Sequence, residues 1–131
     1  MLLRFAVTLP PDASVLEAYL DLERVEDASD DPPPVALHAV RIAGPWDASS
    51  LTWAQLPPLE EVGAPITRAR PGSGPRVRID VRELVHRWQR RSSREFGVAV
   101  VAESAGRTGL ALALRPMPGA ARGPELELYV K

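Results

Sequence analysis

Cysteine is absent from this chain of 131 residues, which excludes a disulfide framework, a thiolate zinc site and a thiol nucleophile. Asparagine is absent too, so the chain has no acceptor for N-glycosylation. Lysine occurs once, at Lys131, against fifteen arginines. A GC-rich genome produces that bias, and so does selection for guanidinium pairing with acids. Neither sign of charge is in excess: the net charge of −1 removes the general argument for nucleic acid, which needs a basic face. No apolar run approaches the ~20 residues of a membrane-crossing helix, so membrane insertion is not expected. Met1-Leu2-Leu3-Arg4 sets a charge inside what would be a signal peptide's apolar core, and Thr8-Leu9-Pro10-Pro11 closes the run; no signal peptide is expected.

Catalytic residue types are equally sparse. His38 and His86 are the two histidines, one in a strand pattern and one on a helix pattern, and both read as structural or surface groups. No nucleophile elbow, zincin motif or phosphate loop occurs. Arg70-Pro-Gly-Ser-Gly-Pro75 is turn chemistry, and Glu60-Glu61 sits beside prolines with nothing apolar to raise a carboxyl pKa. Glu26, Asp27, Asp30 and Asp31 lack the spacing and glycine of a calcium loop and read as a solvated acidic loop. The expectation is a non-enzyme with no cofactor and no metal.

What is present is alternation. Leu3, Phe5 and Val7 suggest a first strand over Leu2–Thr8, ended by Pro10-Pro11. Leu16, Ala18, Leu20 and Leu22 form one face of a second strand, and Glu17, Tyr19, Asp21 and Glu23 the wet face. A third strand is expected over Val35–Ala43. A long Pro- and Gly-rich connection follows over Gln55–Gly74, pinned by Leu59, Val62 and Ile66. Arg76–Ile79 alternates briefly, and Gly97–Ala102, Leu110–Leu114 and Glu125–Val130 give three further strands. Leu16, Leu20, Leu112 and Leu128 are expected to face inward. Between them lies one helix, about 80–91. Asp80 and Glu83 form its capping pattern, and Val81, Leu84, Val85 and Trp88 share one face. Short strands, one helix and no βαβ rhythm predict a mainly β fold, an antiparallel jelly-roll-like β-sandwich forming a single domain over 1–131.

Two features offer binding chemistry. Trp46 and Trp53 bracket the turn Gly44-Pro-Trp-Asp-Ala-Ser-Ser-Leu-Thr-Trp53; indoles so placed either plug the end of a sandwich or stack on a sugar. Arg87, Arg90, Arg91 and Arg94 gather at the helix end. There they oppose the helix dipole or grip an acidic polymer or protein surface.

In order and spacing, several segments resemble the DNRLRE (disaggregatase-related) domain. They are Leu2-Leu3-Arg4-Phe5, Asp12–Leu22, the two halves of the tryptophan turn, Ile79–Trp88 and Pro124–Tyr129. That family is allied to polysaccharide-binding modules and is similar to the TGF-β propeptide sandwich. Met1 opens directly on the Leu-Arg-Phe strand, where the family has an upstream strand, and Ser92–Gly97 stands in place of an Asn-Gly. The resemblance implies a structural or adhesive module, extracellular or at a surface; a particle-associated or cytoplasmic subunit is the alternative. A first strand with no neighbour leaves an edge at Leu2, Leu3, Arg4, Phe5, Ala6 and Val7 to be covered by a protein partner or neighbouring subunit, homo-oligomeric included. The second reading is a polysaccharide-binding module for an acidic or neutral glycan.

Overall fold

A computed structural model describes residues 1–25, 35–69, 76–90, 97–103 and 122–131. The expected strand Leu110–Leu114, with Leu112, lies outside the described residues. So do Arg91, Arg94 and the acidic loop residues Glu26, Asp27, Asp30 and Asp31.

Two antiparallel sheets pack face to face. The strands are β1 (Leu2–Leu3), β2 (Val15–Glu23), β3 (Val35–Ile42), β4 (Leu59–Glu60), β5 (Thr67–Ala69), β6 (Arg76–Asp80), β7 (Val98–Glu103) and β8 (Glu125–Val130). Sheet A runs β1-β7-β3-β4, with β5 also on β3; sheet B runs β6-β2-β8. The fold is thus the expected antiparallel β-sandwich with one helix, α1 (Arg82–Arg90).

Alternation explains the core. In sheet B the inward set is Ala18, Leu20 and Leu22 from β2 with Val77 and Ile79 from β6, all buried. Leu126 and Leu128 of β8 pack against them half-buried. From sheet A come Val35, Leu37, Ala39, Val98 and Val100, from the helix Leu84 and Val85, and from the residue just before it Val81. Each such side chain contributes about 1.5–3 kcal/mol on burial. Helix α1 starts where expected: Asp80 Oδ1 accepts from the Arg82 N–H at 2.9 Å, satisfying a first-turn donor. Trp88 lies against the core.

Four expectations are corrected. Leu16 is 47% exposed, because a register shift between Val15 and Glu17 inserts a bulge that turns Val15 inward in its place. The 55–74 connection is not wholly irregular, since β4 pairs with Arg41 and Ile42, and β5 with Val35–Leu37. Of its expected anchors only Val62 is buried; Leu59 and Ile66 are exposed.

The first strand is the fourth correction. It covers Leu2–Leu3 alone and is paired within the chain, Leu2 with Ala99 and Leu3 with Val98. Gly97 explains where it stops. At φ +110° its Cα lies so close to Leu3 that an added Cβ would sit 2.1 Å from the Leu3 carbonyl oxygen. That backbone belongs to glycine and ends the ladder beside Arg4. The long open edge expected over Leu2–Val7 therefore does not form; Arg4, Phe5, Ala6 and Val7 leave the sheet.

Candidate functional site

The two turn tryptophans have opposite fates. Trp46 is half-buried over the outer face of sheet A, against Val40, Ile42 and Ala99, beside Leu2 and Val101. The Arg4 guanidinium stacks on its ring, 4.9 Å from the centroid, and donates to the Trp46 carbonyl at 3.1 Å. The turn behind it is held by Asp47, whose Oδ1 accepts from the Ser49 N–H at 2.9 Å and the Ser49 hydroxyl at 2.8 Å. Those bonds, with Arg4 nearby, hold the Asp47 carboxyl below the ordinary aspartate range.

Trp53 does not plug the sandwich. It opens a one-turn 3-10 helix (Trp53–Gln55) and is 89% exposed. Leu56, three residues on at the helix C-cap, is also exposed. Trp53 and Leu56 thus put exposed apolar surface on one short segment.

Of the expected arginine cluster, Arg87 and Arg90 are among the described residues. Arg87 turns back into the fold, where its Nη1 donates to Glu60 Oε1 at 2.6 Å while Arg41 Nη1 donates to Glu60 Oε2 at 2.9 Å. Glu60 thus lies in a strand between two guanidiniums, a setting its proline-flanked sequence does not reveal. Arg90 is exposed. Both histidines have partners: His38 Nε2 meets Glu61 at 3.1 Å with Glu103 3.7 Å from Nδ1, and His86 Nε2 meets the Val15 carbonyl at 3.1 Å. His38 is only 9% exposed. Among the described residues no three His, Asp or Glu side chains form a metal-ligand set.

The outer face of sheet B carries a network that the sequence does not announce. Asp21 is buried at its centre, with Arg78 at 3.5 Å and Arg76 at 3.7 Å. Arg78 also pairs with Glu127 and stacks on Tyr19, 4.2 Å from the ring centroid. Tyr129 sets its edge against Tyr19 and its hydroxyl donates to Glu127. Burial raises the Asp21 carboxyl, as does its hydrogen bond with Glu127, against the opposing pull of the two arginines. The Tyr129 hydroxyl and Arg78 lower Glu127. Each of these strands shows its wet face by alternation, but which wet faces meet depends on strand order. The cluster satisfies itself and reads as a stabilising surface.

A groove of about 450 Å³ opens along the side of the sandwich, lined by Phe5, Ala6 and Val7 on one wall and Pro124–Leu128 on the other. Three of the six expected edge residues therefore do border an opening, between the segment that follows β1 and strand β8. No protein-family model, curated protein or solved structure matches this chain.

Proposed function

We propose that this chain is a non-enzymatic structural or adhesive module that docks onto a protein neighbour within a larger assembly or surface structure. The observation that carries the reading is Trp53, 89% exposed on a turn braced by Asp47 and Trp46. Trp is the residue most enriched at interface hot spots, where a rigid indole buries a large area at little entropic cost. Its apolar companion Leu56 favours a protein surface over a sugar ring. The DNRLRE-type assignment belongs to this proposal and rests on the order of the sequence motifs.

The second reading, a polysaccharide-binding module, draws on the same indole with Thr52 and Gln55 beside it as exposed polar groups. A photocrosslinking phenylalanine analogue at position 53 of the intact chain, in its native cells, separates the two. Crosslinks to one defined protein, absent from an analogue at Ser50, are expected. Crosslinks to saccharide alone, or none above the Ser50 control, would overturn the docking reading.

A further inference from the structure

Sheet B ends on β8, and Lys131, which directly follows that strand, fixes its backbone phase. Lys131 donates its N–H to the Ser14 carbonyl at 2.9 Å and accepts from the Ser14 N–H at 3.4 Å. Successive residues of an antiparallel strand aim their backbone groups to opposite sides. Lys131, Tyr129, Glu127 and Glu125 therefore address β2, and Val130, Leu128 and Leu126 aim theirs away from it. Among the described residues β8 pairs with β2 alone, and no hydrogen bond engages the outward groups of those three. Leu126 and Leu128 line the groove opposite Phe5 and Val7. Beside them Val130 is 49% and Tyr129 44% exposed, with Leu16 on the adjoining bulge at 47%. Among the described residues this edge is unpaired, and it is flanked by apolar surface.

We infer that β8 pairs with β8 of a second copy of this chain, antiparallel about a twofold axis through Leu128. The inference is independent of Trp53. In this register the outward backbone groups meet as hydrogen-bonded pairs: Leu128 with its symmetry mate, and Leu126 with Val130 in both directions. The same side chains point inward and close over Phe5 and Val7. On the outer face Glu125 lies opposite the partner's Lys131, and Glu127 opposite the partner's Tyr129. Both are favourable cross-strand pairs.

Neighbouring registers are worse. An axis at Glu127 sets two carboxylates against each other. An axis at Leu126 opposes Glu125 to Glu127 and brings Pro124, which has no N–H, opposite Leu128. An axis at Tyr129 leaves two bonded pairs instead of three. The strand is self-complementary in one register, as an isologous interface requires, and the result is a continuous sheet β6-β2-β8-β8-β2-β6.

The test uses the full chain. Light scattering over a concentration series should show twice the 14.3 kDa chain mass. Val130→Pro removes an outward N–H and leaves the β2 ladder intact; losing its bond and the symmetric one should raise the dimer Kd about tenfold. The cysteine-free background permits a register test that does not depend on that variant. Glu127→Cys mixed with Tyr129→Cys should form a disulfide on mild oxidation, because non-bonded pairs lie ~4.5 Å apart between Cα atoms, within disulfide reach. Neither variant alone should crosslink. A monomer at every concentration would overturn the inference, as would a dimer indifferent to Val130→Pro. Crosslinking of Glu127→Cys with itself would overturn the register.

Discussion

Arg87 on the helix and Glu60 on the β4 edge meet at 2.6 Å, a polar tie between α1 and sheet A beside their shared apolar core. Glu60 also receives Arg41, whose side chain is only 7% exposed. Removing the carboxylate leaves two guanidiniums facing each other, one of them buried. Glu60→Gln should therefore cost about 2–4 kcal/mol, between the worth of an exposed pair and the cost of breaking a buried one. Urea unfolding checks this, and a loss under ~0.5 kcal/mol would mean the pair is solvated.

Leu20 and Leu16 separate the two faces of the bulge. Leu20 is fully buried and Leu16 is 47% exposed. Leu20→Ala should destabilise by ~2–5 kcal/mol, and Leu16→Ala by less than ~0.5 kcal/mol. Equal losses in chemical denaturation would show that strand β2 keeps strict alternation after all.

Much of the architecture was legible because alternation and helical spacing report burial directly. Ala18, Leu20 and Leu22, the Asp80 cap and the Val81–Trp88 face all sit as their periods imply. The misses share one physical cause: they depend on a neighbour that sequence periodicity does not name. β4 and β5 are two and three residues long, too short to show a period, and exist because β3 offers an edge. Strand β1 stops at Leu3 because Gly97 is opposite. The partner of Arg87 was not legible because Glu60 is twenty-seven residues away, and the Asp21 network needs three strands in a given order. The tryptophan turn was legible as a turn bracketed by two indoles, but which indole faces outward was not.

Asp47 supplies a prediction in pH. Its carboxyl is held below the ordinary aspartate range by the Ser49 N–H and hydroxyl. A depressed folded pKa means the unfolded chain binds the proton more readily. The contribution is therefore complete above the unfolded pKa and is lost as pH falls through the lower, folded one. Carboxyl NMR should place Asp47 below the ordinary aspartates, and Ser49→Ala should move it upward. An Asp47 titration unmoved by Ser49→Ala would remove this account of the turn.

The last prediction separates the two tryptophans. Trp46 covers Val40, Ile42 and Ala99 and carries the Arg4 stack, so Trp46→Ala uncovers the outer face of sheet A. It should cost about 2–4 kcal/mol, toward the lower part of the range for a core aromatic because the ring is half-buried. Trp53 touches solvent over most of its surface. Its removal leaves no cavity, so Trp53→Ala should change stability by no more than about 0.5 kcal/mol. If the indole is a docking anchor, that same change should abolish the crosslinked partner, since a hot-spot aromatic typically carries ~2 kcal/mol or more of binding. Thermal melts and partner capture, read side by side on the two variants, must therefore move in opposite patterns. A destabilised Trp53→Ala protein would mean the indole packs within the fold, and a stable one that still captures its partner would mean that docking uses another surface.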